Sequence, residues 1–372
     1  MRVAVAAAPL PGLSAGAVAD LVRRAWLGRR GADALDVRAV SDAAAVPYAT
    51  SGVQGMLGAT TQVDVPGAAG RRFAWVGADR VVLDYTRSPA APAGTAGTAA
   101  IGRDLAWAAR RRPREIVAVL SSFAAIGDLG AGMVGSLSGR PLPRSWTPGL
   151  PLPSDMAGRI AAARRVLRPS HLTVFTGGPQ RLLGPTGLAR AWTRRGMAPA
   201  LAQEMERALG EASAAMAAAS ADADAQMGGD LLGAEDLVRG PYAGAGGGAA
   251  FGLRIVGARV LPVREAVAVA LEGWASQADL CLYVSGAVGE SPPGGLDAAV
   301  ACAARRAVPL VLVCDSASLQ RSELARLGLN GVYEIRPGRA FDDAPETPAT
   351  AAGMAGALTD AVARVAGTWG WE

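Results

Sequence analysis

Two acids, three arginines and a run of glycines are the residues of this chain whose types and spacing could do chemistry. Asp128 stands in the glycine-rich stretch GDLGAGM (127–133), after an apolar run, and Asp42 follows the apolar run Leu35–Val40. Open α/β sheets place ligand-contacting residues beyond the carboxyl ends of their strands, so each acid is a candidate catalytic group. The alternative for Asp128 is a helix cap, and for Asp42 a structural turn. Arg190 lies one turn into an expected helix after GPTG, and Arg194 and Arg195 follow in TRRG. A guanidinium there could grip an anion in a bidentate fork. Gly187 ends the preceding loop, GGPQRLLGPTG (177–187). In PYAGAGGGAAFGL (241–253) there is almost no side chain to pack. A dense glycine run marks close backbone approach. At Gly244, Gly246, Gly247 and Gly248 the approaching partner is either a phosphate held by main-chain N–H groups or another helix.

What the chain lacks narrows the choices. Every basic side chain apart from the one histidine is an arginine, and there is no lysine. That excludes a lysine phosphate clamp, a Schiff base and a P-loop cation, and passes any such role to arginine. The single histidine, His171, rules out a multi-histidine metal site, and its place before the apolar run Leu172–Phe175 suits a strand edge. Cys281, Cys302 and Cys314 form no C-x-x-C pair and lie in apolar segments, as free buried thiols of a reducing cytosol do. The net charge of +5 is spread along the chain. Its densest cluster, Arg110, Arg111, Arg112 and Arg114, suits a helix C-terminus, whose dipole it complements. Without interleaved aromatics it does not read as a nucleic-acid surface. Pro9 and Pro11 interrupt the first apolar run, and Asp128 with several glycines interrupts 116–138, so neither reads as a signal or membrane segment. A cytoplasmic protein with neither membrane nor nucleic acid as partner is expected.

The elements that must position these residues follow from hydrophobic patterning, and 372 residues suffice for two domains. The chain opens with a strand at Val3–Ala7, a cap at Ser14, a helix over Ala17–Trp26 and a strand at Leu35–Val40. The last third alternates strands at Leu280–Ser285, Val308–Cys314 and Val332–Ile335 with helices over 295–307, 318–327 and 349–366. Continuous apolar strands between helices predict one buried parallel sheet made from both chain ends. The middle predicts a hairpin of Phe73–Gly77 with Arg80–Tyr85, a helix over 97–111 and a strand at Glu115–Leu120. A proline-rich connection at 140–153 and a strand at 172–176 come next. An alanine-rich helix over about 199–221 then breaks in ADADAQMGGD (221–230).

Taken in order, GDLGAGM (127–133), RLLGPTGLAR (181–190), PYAGAGGGAAFGL (241–253) and ADLCLYVSGAVGE (278–290) resemble successive motifs of the bacterial glycerate kinase family. The opening strand–helix unit and VPGAAGRRFAWVG (65–77) resemble its first unit and its Gly-Pro-Leu-Gly hairpin. The resemblance implies a two-domain α/β fold. Residues 1–64 and 256–372 would form a flavodoxin-like parallel-sheet domain, with an α/β domain of residues 65–255 inserted. It also implies ATP-dependent phosphorylation of glycerate or a similar small hydroxy acid, with Mg²⁺. The loops around Asp42, Asp128, Gly187 and Gly246 would share one site at the domain interface.

Most of the family's charged groups are absent. Its Asp-Ser-Phe-Lys-type first loop reads Ala8-Pro9-Leu10-Pro11-Gly12 here, and its Asp-Gly-Gly-Glu-Gly-Thr stretch reads Asp42-Ala43-Ala44-Ala45. Gly177 stands at an expected acid and Ala287 at an expected glutamate, while Asp84 and Asp104 stand about where the family has glutamates. Phosphoryl transfer is almost entirely positioning and charge stabilisation, and each lost electrostatic group costs about 10²–10³ in rate. Two functions follow. One is a kinase working with arginines and the surviving aspartates. The other is a family member without catalysis that binds a ligand or a protein partner.

Overall fold

The computed structural model describes residues 1–41, 53, 56–57, 61–65, 73–85, 97–120, 127–143, 146–177, 179–194, 196–226, 236–288, 293–319, 321–336 and 350–370. Asp42 and Arg195 lie outside them. The chain divides into two units, one of Met1–Gly58 with Val263–Glu372, the other of Ala59–Pro262. The first unit opens with β1 (Arg2–Ala7), α1 (Ala15–Arg29) and β2 (Ala34–Ala39). The second starts with β3 (Thr61–Asp64), β4 (Phe73–Val76), β5 (Arg80–Tyr85), α2 (Ala99–Ala109) and β6 (Glu115–Leu120). It continues through α3 (Ala131–Leu137), α4 (Met156–Leu167), β7 (His171–Thr176), α5 (Leu188–Thr193) and α6 (Pro199–Gln226). It ends with α7 (Asp236–Arg239), α8 (Ala249–Ile255) and β8 (Arg259–Pro262). The first unit resumes with α9 (Val263–Ala270), β9 (Leu280–Ser285), α10 (Gly294–Ala304) and β10 (Leu310–Cys314). It closes with α11 (Arg321–Arg326), β11 (Gly331–Glu334) and α12 (Ala351–Trp369).

In the first unit the strand order is β11-β10-β9-β1-β2, and every pairing is parallel. The strands expected from both chain ends therefore share one sheet, and its order within the unit is the 2-1-3-4-5 of flavodoxin-like folds. Burial on both faces explains why β1, β9 and β10 read as apolar runs. One face presents Val3, Val5, Leu280, Leu282, Val311 and Val313 to α1 and α12, whose buried residues include Val22, Trp26, Leu358 and Val362. On the other face Cys281 lies near Cys302 of α10. Ser14 caps α1 as expected, its hydroxyl accepting from Ala17 N at 3.2 Å. All three cysteines are free and buried.

The second unit carries a six-stranded sheet in the order β3-β4-β5-β6-β7-β8. The expected hairpin is present as the antiparallel pair β4–β5, and β5 to β8 run parallel. β3 and β8 both pair in this sheet, outside the expected limits of 65 and 255. The long helix also differs from expectation, since α6 runs through Gln226 and takes in Ala221–Ala225. Alanine has the highest helix propensity. Asp224, moreover, is held by Arg164 of α4 at 2.6 Å, and Ala223 is buried. Among the described residues no helix is long and apolar enough to cross a membrane.

Candidate functional site

The expected site residues that lie in the second unit gather on three pieces of chain beyond the carboxyl ends of β6 and β7. The first is the turn that starts α3. Leu129 and Gly130 both adopt left-handed backbone (φ 54 and φ 83), which swings the chain from Asp128 into the helix. Asp128 is buried beneath this turn. Its Oδ2 accepts from Thr98 N (2.7 Å), Thr98 Oγ1 (3.1 Å) and Gly132 N (3.2 Å), and its Oδ1 from Gly130 N (3.1 Å). Thr98, the residue before α2, also accepts from Met133 N at 2.9 Å. The pair thus ties the amino ends of α2 and α3 together, where otherwise unpaired N–H groups attract negative charge. Burial raises the Asp128 carboxyl above its ordinary range, against the pull of these donors.

The second piece is the glycine run. Gly246, Gly247 and Gly248 all have positive φ (63, 69 and 90), so the chain makes a left-handed turn into α8 that side chains resist. Protein fills the space beside it. A Cβ on Gly244 would stand 2.3 Å from the Arg181 carbonyl oxygen, and one on Gly248 would stand 2.9 Å from a Leu129 methyl. A Cβ on Gly246 would meet Leu120 at 3.2 Å. Of the two readings of this run, close packing accounts for Gly244 and Gly248 directly.

The third piece is the loop from Gln180 to Gly187. Buried Gln180 folds it shut, its Nε2 donating to the carbonyls of Arg181 (3.1 Å) and Thr186 (3.0 Å). Gly184 N donates to Glu206 Oε1 at 2.6 Å, and Gly187 precedes α5 where a Cβ would stand 2.6 Å from the Leu183 carbonyl carbon. Leu188 of α5 touches the space beside Gly248, so the loops around Asp128, Gly187 and Gly246 converge within this unit. Arg190 is exposed on α5 and Arg194 is exposed as its C-cap, and neither has an ion pair among the described residues. Asp104 is also buried and accepts from the Tyr85 hydroxyl at 3.2 Å.

Sequence patterning did not single out Thr98, Gln180 or Thr176. Thr176 ends β7, level with Leu120 of β6 and Pro262 of β8, and its buried hydroxyl has no hydrogen-bond partner among the described residues. In the first unit, the Asp315 carboxylate after β10 pairs with the Arg336 guanidinium after β11, through Nε at 2.5 Å and through Nη2. That pairing raises Arg336 further above its ordinary range. The pair links the ends of two neighbouring parallel strands. Within the same unit, the loop after β1 buries Ala8, Pro9 and Leu10. Among the described residues no three His, Cys, Asp or Glu side chains gather to hold a metal ion. Mg²⁺ takes carboxylate and phosphate oxygens, and both Asp128 oxygens already face N–H or O–H donors. Asp128 is therefore poorly placed to hold Mg²⁺.

No curated protein matches the chain. Among solved structures it is similar to a protein of Salmonella typhimurium LT2 whose assignment as glycerate kinase 2 is itself provisional. The TM-score is 0.69 at 17% identity, over 99% of this chain and 98% of that one. This likeness establishes the shared two-domain α/β fold. A model of the glycerate kinase family matches residues 37–369, nearly the whole length, and the chain belongs to that family.

Proposed function

We propose that the protein is a glycerate kinase-like phosphotransferase of low turnover, using ATP and a glycerate-like small hydroxy acid. Family membership supports the reaction class. The bonding of Asp128 supports the low rate: the one acid that survives in its loop braces two helix ends inside the protein. A carboxylate so engaged is poorly placed to take a proton from a substrate hydroxyl, which needs the base within hydrogen-bond reach of that hydroxyl. Among the described residues Arg190 and Arg194 are the candidate cations for a phosphate, and both are exposed beside the converging loops. The buried thiols fit a reducing cytoplasm.

The Asp128 bonding also favours a second reading, a family member that binds its ligand or a protein partner without turnover. Titration with ATP–Mg²⁺ and with glycerate, followed by a coupled assay of ADP formation, separates the two. Slow ADP formation dependent on glycerate supports the kinase. Binding with no ADP supports the second reading, and neither binding nor turnover refutes both small-molecule readings.

A further inference from the structure

The opposite end of the second sheet carries a basic cavity that nothing above uses. Its volume is about 740 Å³, within the range of small-ligand pockets, and it opens at the amino ends of β5 to β8. Arg80, His171 and Arg259 are the first residues of β5, β7 and β8. Arg114, just before β6, with Arg164 and Arg168 at the end of α4, complete the basic lining. Among the described residues that line it, the acids are Asp79 and Glu115.

The acids are partly consumed already. Glu115 accepts from Arg80 Nε at 2.8 Å and from the Thr173 hydroxyl at 2.7 Å. Arg164 is likewise engaged, with the Ile255 carbonyl, Ser220 and Asp224. Arg114 and Arg168 differ. Both are exposed, and neither guanidinium has a hydrogen-bond or ion-pair partner among the described residues. The backbone fixes where they start: His171 N donates to the Arg114 carbonyl at 2.9 Å, and Arg168 N to the Arg164 carbonyl at 2.9 Å. Two unengaged guanidiniums thus border a concave space that already holds three more, together with an imidazole. Their mutual repulsion is relieved by an anion that bridges them.

We infer that this cavity binds a small, multiply charged phosphate-bearing anion. Guanidinium forks match phosphate oxygens two at a time, which suits a compact ligand with several such oxygens. No Phe, Tyr or Trp lines the cavity to stack a base, which disfavours a single-stranded nucleic acid. Each parallel strand here is six residues or fewer, so the cavity lies roughly 20 Å from the carboxyl-end loops. It is a separate site from theirs.

The test is calorimetric titration of the full-length protein with pyrophosphate at low ionic strength. The comparison is with the double variant Arg114→Gln/Arg168→Gln and with Arg207→Gln on α6, outside the cavity lining. Both variants change exposed residues, and thermal melts of the unliganded proteins check that folding is intact. The expected result is saturable binding that weakens at least tenfold in the double variant and stays within twofold in Arg207→Gln. No saturable binding, or an affinity unchanged in the double variant, overturns the proposal. So does an oligothymidylate that binds more tightly than pyrophosphate and loses its affinity in the same double variant.

Discussion

Gly130 and Gly252 meet backbone to backbone: a Cβ on either would stand 2.5 Å from the other's α-carbon. This contact joins the turn that starts α3 to the helix that follows the glycine run, so it fixes the Asp128 loop against Gly244–Gly248. Because the obstructing atoms are main chain, no side-chain rotation relieves an added methyl. Gly252→Ala should therefore destabilise the protein by about 1–3 kcal/mol, as overpacked cores do. Gly158→Ala is the control. It sits in α4 with nothing within 4 Å of the added methyl, and it should be neutral or stabilising by up to about 1 kcal/mol. Thermal melting midpoints of the two variants against the parent decide this.

Asp128→Asn keeps one acceptor oxygen and turns an NH₂ group toward N–H donors. The loss should be about 2–4 kcal/mol, from broken charge-assisted bonds and donors left unpaired. The pH dependence carries a sign. Burial raises the native carboxyl above 3.8, so as pH rises the unfolded chain loses its proton first. That contribution is fully present below pH 3.8 and is lost as pH rises through the native value. Denaturation midpoints from pH 3 upward should show this loss in the parent and not in Asp128→Asn.

The parallel sheet of the first unit was legible because strands buried on both faces read as unbroken apolar runs, and Leu280–Ser285 matched to the residue. The hairpin was legible from its turn at Ala78–Asp79. The end of α6 was not, since ADADAQ looks like a polar linker until Arg164, 60 residues away, supplies a partner for Asp224. The site was legible as a set of loops and not as chemistry. Glycine density at 244–248 announces close approach without saying to what, and only Arg181 and Leu129 answer that. Thr98 gave no signal, because its partner Asp128 comes 30 residues later. The basic cavity was invisible for a similar reason. Its arginines come from three strand ends and a helix end that are scattered in sequence and brought level by the sheet register.

Cys281 and Cys314 sit inside the first unit, where burial pushes both thiols up to about 12. The thiolate is the reactive form, so neither should react in the native protein. Iodoacetamide at pH 8, followed by mass mapping, should leave both unmodified in buffer and modify both in denaturant. Modification of either at native rates near those of a free thiol would contradict the burial.

The most direct measurement is steady-state ADP formation by the purified protein with saturating ATP, Mg²⁺ and glycerate. It should be made beside Asp128→Asn and Arg194→Ala/Arg195→Ala. Kinases commonly turn over at about 1–100 per second. With Asp128 bonded to Thr98, Gly130 and Gly132, the predicted parent rate is well below one per second. A parent rate of tens per second that disappears in both variants would contradict the account, because it would make Asp128 a catalytic group and not a brace.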